Sequence, residues 1–527
     1  MANVNEKKAK EILERVESER GFARVWPKIL AERDPELLEC LHNEVTHVLD
    51  RRNSLPRKTK EIIMLCLNAF SFYEFGFRIH TRSALKAGAT EDEILEALEV
   101  VGLSNLHGMT SMLPVLVEEV QNYQKSGGTP EGKKWDTHWR RTNMDFQLSK
   151  EQNMFRDAVH SFAQKHLAPG ALERAHREEY PWDISKLIAE QGLMGITMKE
   201  EDGGQGGTLM DAIIAIETVA QACPRSADVI HAGNFGPARV LAEYGTKDQK
   251  ERYLGKLLRG ESVINVGMTE PEAGSAVTDL RTTAAPDGDG YRINGIKVFQ
   301  THAPYAEMML TYVRFGPGVG GIGSVLIPRS APGFKQGKPS KFFNGEEWVQ
   351  TYLDNVYIGP ENVLLKEGGF KKQIAGLNVE RIGNTVRSLA LGRYAYEQAR
   401  RWAMQRKQFG RLLCEFQGLQ WKFADMKIKL DAGQLLIYRA VANAVGGIPS
   451  ADDTAIAKAF CNQAGFDICN EAMQIMGGMG YTEDTLVEYC LRKCRGWMIA
   501  GGSIEILKNR IAEGVFERTF SQRPSKI

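Results

Sequence analysis

The sequence predicts a multidomain, mainly α-helical protein with one β-rich stretch near its middle. Apolar residues recur at helical spacing up to about residue 260 and again from about residue 380. Between about residues 262 and 365, short β-rich runs alternate with Gly, Pro and Asn. Gly, Pro, Lys and Thr crowd into residues 123–146 without periodicity, which is typical of a linker between domains.

The elements are therefore expected in the order α, linker, α, β, α. PELLECLHNEVTHVLD, RKTKEIIMLCLNAF and DEILEALEVVGLSNL predict helices before the linker, and SKEQNMFRDAVHSFAQKHL and GTLMDAIIAIETVAQA predict helices after it. In the β-rich stretch, the Asn-Gly pair at 294–295 predicts a hairpin turn. The predicted divisions are an N-terminal all-α domain (1–125), a linker (126–145), an α domain (146–262), a β domain (263–370) and a C-terminal α domain (371–527).

Composition excludes several classes of function. Lys plus Arg (67) almost equals Asp plus Glu (66), so no excess charge favours nucleic acid or an anionic membrane. No apolar run approaches the roughly 20 residues of a membrane span. The eight cysteines are scattered without a CxxC, which favours buried thiols in a reducing compartment over disulfides or a metal site. The charged, helical start does not read as a signal peptide, and a cytoplasmic location is expected.

Four short segments could carry chemistry, although each has an ordinary structural interpretation. GMTEPEAGSAV (267–277) could place backbone N–H groups and hydroxyls against a phosphate or ring, or could simply join two strands. Arg406 and Arg411 in RKQFGRLLCEFQ could clamp a phosphate, or could form the solvated face of a helix. The glycines of MQIMGGMGYTED could expose backbone N–H groups to a ligand, or could simply end a helix. The Gly-Gly pair of WMIAGGSIEIL is a linker or a place of close backbone approach.

Together and in this order, these segments resemble the acyl-CoA dehydrogenase family. The resemblance runs from about residue 146 to 520 and rests on MTEPEAGS, INGIKVFQT, RKQFG followed by FQGLQWKFADM, MQIMGGMGY and GGSIEILKNRI. It implies an α-helical domain, a β-barrel domain and a C-terminal four-helix bundle that bind FAD. The FAD contacts that it implies are Met268, Thr269, Gly274, Ser275, Phe299, Thr301, Arg406, Phe409, Gln417, Gln474, Gly477, Gly478, Ser503 and Glu505.

Some of these matches imply specific roles. Thr269 would hydrogen-bond the edge of the flavin ring, and Phe299 would stack where the family commonly has Trp. Arg406 would reach FAD across a subunit interface, and a cofactor shared in this way implies a homotetramer. Two positions depart from the family pattern: Ala276 replaces a common Asp, and Lys493 lies in RKC where RDA is common.

The resemblance places the catalytic base at Glu380. Many relatives carry their glutamate in YEGT, which this chain matches with Ala500 to Ser503, so Gly501 cannot be the base. The Gly501 N–H is instead expected to donate to the substrate thioester carbonyl. Glu380, in GLNVERIGN beside the candidate substrate-binding Arg381, matches the base of isovaleryl- and long-chain-type members. Alternatively, Glu380 is a helix-start residue stabilised by the helix dipole.

Residues 57–100 resemble the carboxymuconolactone decarboxylase and alkylhydroperoxidase-D-like family of all-helical proteins. Peroxidase members need a CxxC four residues ahead of a His, and here Tyr73 and Gly76 occupy those positions. Thiol redox chemistry is therefore excluded. Glu61 and His80 remain, and they could support cofactor-free decarboxylation, or the domain could serve assembly alone.

The leading interpretation is FAD-dependent dehydrogenation of an acyl-CoA to the 2-enoyl-CoA, with electrons passed to an electron-transfer flavoprotein. An alternative keeps the flavin site but eliminates CO₂ or sulfite from a CoA thioester, with or without help from the N-terminal domain. A third interpretation is a binding or scaffolding module with a decayed flavin site, which the intact TEPEAGS, RKQFG and GGMGY segments disfavour. The pattern does not predict the acyl group.

Overall fold

The structure, a computed structural model, describes residues 10–12, 14, 34–125 and 148–522. The chain divides into two compact units, Met1–Asp145 and Phe146–Ile527. The predicted linker (126–145) and most of the charged segment at the chain start lie outside the described residues.

The N-terminal unit is built from amphipathic helices around a small apolar core. Thr90 begins one of them with a capping box, in which its hydroxyl accepts from Glu93 N (3.1 Å) while Glu93 Oε2 accepts from Thr90 N (2.9 Å). The core residues Leu65, Phe77 and Leu98 are fully buried. The helices are α1 (Pro35–Thr46, continued by a π-helical turn at His47–Arg51), α2 (Arg57–Phe70), α3 (Glu74–Lys86), α4 (Glu91–Ser104) and α5 (Leu106–Lys125).

The second unit opens with a helical region in which some of the helices also begin at capping boxes. Ser149 and Thr208 each accept a hydrogen bond from the backbone three residues later. The helices are α6 (Lys150–Phe162), α7 (Ala171–His176), α8 (Trp182–Glu190), α9 (Leu209–Ala220), α10 (Pro224–Asn234), α11 (Pro237–Tyr244), α12 (Lys247–Gln249) and α13 (Gly255–Leu258), with π-helical turns at Ala163–Leu167 and Lys250–Leu254.

The middle of the chain forms a sheet with its own buried apolar face, which includes Ile293, Val313 and Val356. Its strands are β1 (Ile264–Gly267), β2 (Thr283–Asp287), β3 (Gly290–Thr301), β4 (Met308–Arg314), β5 (Ile322–Pro328), β6 (Phe334–Gln336), β7 (Ser340–Lys341), β8 (Glu347–Ile358) and β9 (Val363–Leu365). Among the described residues these make one nine-stranded sheet in the order β6-β8-β3-β2-β4-β5-β9, with β1 beside β4 and β7 beside β8.

The hairpin turn predicted at Asn294-Gly295 is wrong. Both residues lie inside β3, and the β2–β3 turn falls earlier, where Asp287 pairs with Gly290. The register of β3 against β8 shifts between Ile293 and Gly295, which is a bulge. A Cβ on Gly295 would lie 2.7 Å from Thr282 Cα, so the glycine is needed for close backbone approach and not for a turn.

The C-terminal region is helical and is organised around one long helix, α14, of 35 residues. A Cβ on Gly465 would lie 2.4 Å from Ser388 O, so this glycine lets α14 and α16 cross at close range. The elements are α14 (Gly369–Ala403), β10 (Lys407–Gln408), β11 (Arg411–Leu412), α15 (Gln417–Ala442), α16 (Ala451–Met476), α17 (Gly478–Tyr481), α18 (Val487–Trp497) and α19 (Ile504–Val515).

Arg406 and Arg411 do not lie on a helix, contrary to the solvated-helix interpretation. The segment after α14 makes a two-residue hairpin, with Lys407 paired to Leu412 and Gln408 to Arg411. Phe409 (φ 51°) and Gly410 (φ 80°) form its turn, and positive φ at both central residues is what such a tight hairpin requires. The Phe409 side chain is thereby presented at the tip and is 94% exposed.

Three further findings concern the described residues. None of their helices is long and apolar enough to cross a membrane. No group of three or more His, Cys, Asp or Glu among them could hold a metal ion. All eight cysteines are free thiols, and five are buried.

Candidate active site

Glu380 lies well inside a helix. α14 begins at Gly369, after Gly368 in the left-handed conformation (φ 79°), so Glu380 comes eleven residues later. The prediction that Glu380 stands at a helix start is therefore wrong, because the helix continues N-terminally through FKKQIAGLNV. Dipole stabilisation acts within the first turn and does not account for this residue.

The Glu380 carboxylate is largely buried and has one unsatisfied oxygen. Its Oε1 accepts from Asn384 Nδ2 at 3.0 Å, while Oε2 lies 3.4 Å from His231 Nε2 and accepts no hydrogen bond. Burial raises the pKa of Glu380, and the opposing influences of Arg387, Asn384 and Lys458 are smaller. A carboxylate of raised pKa with a free oxygen suits proton abstraction near neutral pH.

The Gly501-Gly502 turn lies next to this carboxylate. Both glycines have positive φ (72° and 97°), and Asn384 Nδ2 would lie 3.4 Å from a Cβ on Gly501. Their carbonyls are fixed by cations: Arg381 Nε donates to Gly501 O (2.9 Å), and Lys458 Nζ donates to Gly502 O (3.1 Å). Within the described residues nothing accepts from either glycine N–H. The turn therefore offers amide donors beside Glu380.

Arg381 and Lys458, the two basic side chains beside this turn, donate hydrogen bonds to other groups of the protein. Arg381, the predicted substrate-binding residue, also donates from Nη1 to Asn378 Oδ1 (3.1 Å). Lys458 is fully buried, and it donates to Trp497 O (2.9 Å) as well as to Gly502 O. Burial lowers the pKa of Lys458 to about 7. Both side chains hold the carbonyl side of the turn.

The TEPEAGS loop is anchored by a buried ion pair. Glu270 Oε1 accepts from Lys297 Nζ (2.8 Å) and Thr282 N (2.9 Å), and its Oε2 accepts from Arg281 N (2.5 Å). Burial disfavours the charge on Glu270, but Lys297 and the donated hydrogen bonds keep the pKa of this carboxyl below its usual value. Glu270 thus fixes the loop from a buried position, while Gly274 and Ser275 of the same loop are exposed.

The residues predicted to contact the flavin ring fit such a group. The hydroxyls of Thr269, Ser275 and Thr301 have no hydrogen-bond partner among the described residues. Phe299 has positive φ (59°) and is 56% exposed, with its ring 4.8 Å from that of Trp348. Free hydroxyls beside an exposed aromatic are what a heteroaromatic ring with polar edges requires.

A second set of predicted cofactor residues lies elsewhere on the surface. Its members are exposed: Arg406, Phe409, Gln417, Gln474, Gly477, Gly478 and Glu505. In the part of the chain that the structure describes, no hydrogen bond joins this set to Glu380 or to the TEPEAGS loop. Ser503 is used within the fold, because its hydroxyl accepts from Ile506 N (3.4 Å) and caps α19.

Comparison with known protein families decides the identity of the second unit. Family models described as the N-terminal, middle and C-terminal domains of acyl-CoA dehydrogenase match residues 149–261, 265–356 and 367–516. The chain belongs to the acyl-CoA dehydrogenase family. It is accordingly an enzyme, an FAD-dependent oxidoreductase, and the predicted fold class of this unit is confirmed.

Individual relatives agree with this assignment. A short-chain-specific acyl-CoA dehydrogenase of Clostridium acetobutylicum is 33% identical over 378 residues, which cover 71% of this chain and 100% of that protein. A 3-sulfinopropanoyl-CoA desulfinase of Paraburkholderia xenovorans is 30% identical over 388 residues, covering 72% and 100%. The solved butyryl-CoA dehydrogenase of Megasphaera elsdenii has a TM-score of 0.66 and 31% identity, covering 71% and 100%.

The N-terminal resemblance is confirmed as well. The carboxymuconolactone decarboxylase family model matches residues 35–105. The structure brings the two candidate residues together, because His80 Nδ1 lies 2.6 Å from Glu61 Oε2. Glu61 is 1% exposed and also accepts from Arg57 Nε (2.7 Å). A Cβ on Gly76 would lie 2.3 Å from Asn68 Oδ1, so a cysteine does not fit there without movement.

Sequence reasoning missed the polar side chains that surround the Glu380 carboxylate of this acyl-CoA dehydrogenase family member. Asn384 and Arg387 follow Glu380 on α14, and Asp228 and His231 face them from α10. The available signal was spacing, since Glu380, Asn384 and Arg387 stand at i, i+4 and i+7 on one face of a helix with buried apolar neighbours.

Proposed function

We propose that the chain catalyses FAD-dependent α,β-dehydrogenation of an acyl-CoA thioester to the 2-enoyl-CoA. The observation that carries the proposal is the pairing of a buried carboxylate, Glu380, with the free N–H groups of the Gly501-Gly502 turn. A base and an amide donor at one place are what removal of a proton α to a thioester needs.

In this proposal Glu380 Oε2 accepts the α-proton of the acyl group. The Gly501 N–H donates to the thioester carbonyl oxygen, where negative charge develops as the α-proton leaves. FAD, when bound, would supply the two-electron acceptor for the β-hydrogen of the acyl group. The residues that would hold the flavin ring are Met268, Thr269, Gly274, Ser275, Phe299 and Thr301.

Further proposals concern assembly and partners. The exposed set around Arg406 and Phe409 would contact the FAD of another subunit, which implies a homotetramer of paired dimers. An electron-transfer flavoprotein would reoxidise the flavin, as family membership implies, and a cytoplasmic location fits the free cysteines. Arg381 would act by fixing the Gly501 carbonyl.

The test is a screen of straight, branched, aromatic and dicarboxylic acyl-CoA thioesters with the FAD-loaded full-length protein and an artificial electron acceptor. Dye reduction together with a product lacking two hydrogens supports the proposal. If no thioester bleaches the flavin, or if every turned-over substrate loses CO₂ or sulfite without dye reduction, dehydrogenation is the wrong reaction.

Elimination of CO₂ or sulfite from a CoA thioester is a second candidate. It is supported by the 30% identity to a desulfinase and by the absence of a glutamate at Gly501. The hydrogen-bonded Glu61–His80 pair gives the N-terminal domain an acid–base pair that could assist decarboxylation. Product mass in the same screen separates the two reactions.

A further inference from the structure

A chain of buried polar side chains leads away from the Glu380 carboxylate, and the proposed reaction does not use it. Asn384 Nδ2 donates to Glu380 Oε1 (3.0 Å), and Arg387 Nη2 donates to Asn384 Oδ1. Arg387 Nη1 then donates to Asp228 Oδ1 (2.9 Å), and Lys493 Nζ contacts Asp228 Oδ2 (2.7 Å). We call Asn384, Arg387, Asp228 and Lys493 the anchor network.

The far end of the anchor network is fixed by further ion pairs. Lys493 Nζ also donates to Glu346 Oε1 (2.7 Å), which Arg225 Nη1 contacts at 3.2 Å. The side chains of Lys493 and Asp228 are 2% and 7% exposed, so these charges are shielded from water. The cations Arg225, Arg387 and Lys493 balance the carboxylates of Asp228, Glu346 and ionised Glu380. Removing one charged member of such a buried array leaves another charge without its partner, which destabilises the fold.

Donor chemistry fixes the direction of each hydrogen bond. A guanidinium has only donors, so the Asn384 oxygen must face Arg387. The Asn384 NH₂ group must then face Glu380, where it donates to a carboxylate oxygen. One Glu380 oxygen is thereby committed to Asn384, and the other, Oε2, is left without a hydrogen bond.

We propose that the anchor network orients the Glu380 carboxylate for proton abstraction, with Asn384, Arg387 and Lys493 acting as positioning residues; the inference rests on the proposed role of Glu380 as the base. The committed oxygen cannot rotate away, so the free oxygen keeps one position relative to the Gly501 N–H. Arg387 is itself held in place, because its planar guanidinium donates to Asn384 and Asp228 together and its Cζ lies 4.6 Å from the Trp497 ring centroid.

This role accounts for the departure at Lys493, where relatives commonly have Asp. An acid at this position would meet the carboxylates of Asp228 and Glu346, which Lys493 now contacts at 2.7 Å each. Lys493 therefore neutralises Asp228 and Glu346 together. The Asp228 carboxylate held in this way is the one that accepts the hydrogen bond from Arg387.

The other charged or titratable groups near Glu380 cannot replace the network. Burial lowers the pKa of His231 well below its usual range, so this imidazole on α10 is neutral. Lys458 on α16 donates to backbone carbonyls, and Arg381 donates to Gly501 O and Asn378. Tyr312 on β4 is fully buried, and its pKa is raised by burial, so it is neutral too. Asn384 provides the only hydrogen bond to Glu380 among the described side chains.

The test compares Asn384→Leu, Arg387→Lys and Lys493→Met in the FAD-loaded full-length protein. The readout is the rate of flavin bleaching by substrate as a function of pH. Asn384→Leu removes the donor that favours ionised Glu380. Lys493→Met removes the cation that pairs with Asp228 and so leaves more uncompensated negative charge beside Arg387 in the network. In both variants the acidic side of the rate–pH profile should therefore shift to higher pH by about one unit. At a given pH on that side, the bleaching rate should be about tenfold lower than in the wild type.

Arg387→Lys separates orientation from charge. A lysine keeps the cation but cannot reach Asp228 and Asn384 together, so the acidic side of the profile should stay while the high-pH plateau falls about tenfold. The matched control is Arg492→Met on the same helix as Lys493. Arg492 donates to Glu488 and lies outside the anchor network, so its pH profile should equal that of the wild type.

Wild-type pH profiles and plateaus in Asn384→Leu and Arg387→Lys would overturn the network while leaving Glu380 as the base. A wild-type rate in Glu380→Gln would instead overturn the proposed base itself. Lys493→Met leaves two buried carboxylates with one cation fewer and is the variant most exposed to misfolding. If it does not fold, Asn384→Leu and Arg387→Lys decide the question.

Discussion

Replacing Glu380 by Gln removes the proposed base while keeping the shape of its side chain. The amide oxygen of Gln can still accept from Asn384, so the geometry around α14 should persist. General-base catalysis contributes about 10²–10⁴-fold, so flavin reduction by substrate should fall by that factor. This corresponds to about 3–5 kcal/mol in the activation free energy.

The same substitution has a stability consequence of opposite sign. Burial raises the pKa of Glu380 above that of an unfolded glutamate, so the ionised carboxylate destabilises the fold once pH exceeds about 4.3. Gln carries no charge to bury. The free energy of unfolding of Glu380→Gln at pH 7 should therefore equal or exceed that of the wild type. Any gain should vanish as pH falls below about 4.3, where the carboxyl is protonated in both states.

Both effects can be measured on one protein preparation. Anaerobic stopped-flow bleaching of the flavin gives the reduction rate, and thermal unfolding at pH 4 to 8 gives the stability difference. Glu397→Gln is the matched control, because Glu397 lies on the same helix, pairs with Arg400 and is 37% exposed. Slow reduction with unchanged FAD content is the expected result. Reduction at the wild-type rate would refute the assignment of the base.

Three further changes have definite expected outcomes. Arg406→Ala should lower both FAD content and the tetramer fraction, measured by absorbance and light scattering, because in the proposed assembly its charge would serve a phosphate across the interface; normal values for both would contradict the shared site. Deletion of residues 1–125 should leave substrate-dependent flavin bleaching measurable, and the full chain should show no thiol-dependent peroxidase activity. The double change Glu380→Gly with Gly501→Glu should recover only part of the bleaching rate, because a glutamate at φ 72° is strained by about 1–2 kcal/mol.

Several parts of the fold and the site follow from the sequence because they depend on local pattern. Helical periodicity and short β-rich runs are enough to predict where the helical and β regions lie along the chain, because the spacing of apolar residues reflects the buried face of each helix or strand. The resemblance supplies both family assignments because its motifs are contiguous in the chain. Glu380 and Gly501 could be named for the same reason, although they are 121 positions apart.

Other features could not be predicted because they depend on contacts between distant segments. Asn294-Gly295 has the composition of a turn, but Thr282 approaches Gly295 too closely for any side chain and makes the pair a bulge. The basic RKQFG segment reads as a helix face, but positive φ at Phe409 closes it into a hairpin. Asp228 lies 159 positions from Arg387, and nothing in either local pattern indicates that they pair.

The length of α14 has a consequence for mixtures of mutant chains. Glu380 and the end of this helix at Ala403 are separated by about 35 Å along its axis, so in the proposed assembly Glu380 and Arg406 of one chain would serve different flavins. The base and the phosphate contact of each proposed site would then come from different polypeptides. When Glu380→Gln and Arg406→Ala chains are co-assembled, each mixed pair would contain one doubly defective site and one site built wholly from wild-type residues. Two inactive variants expressed together should therefore show intragenic complementation.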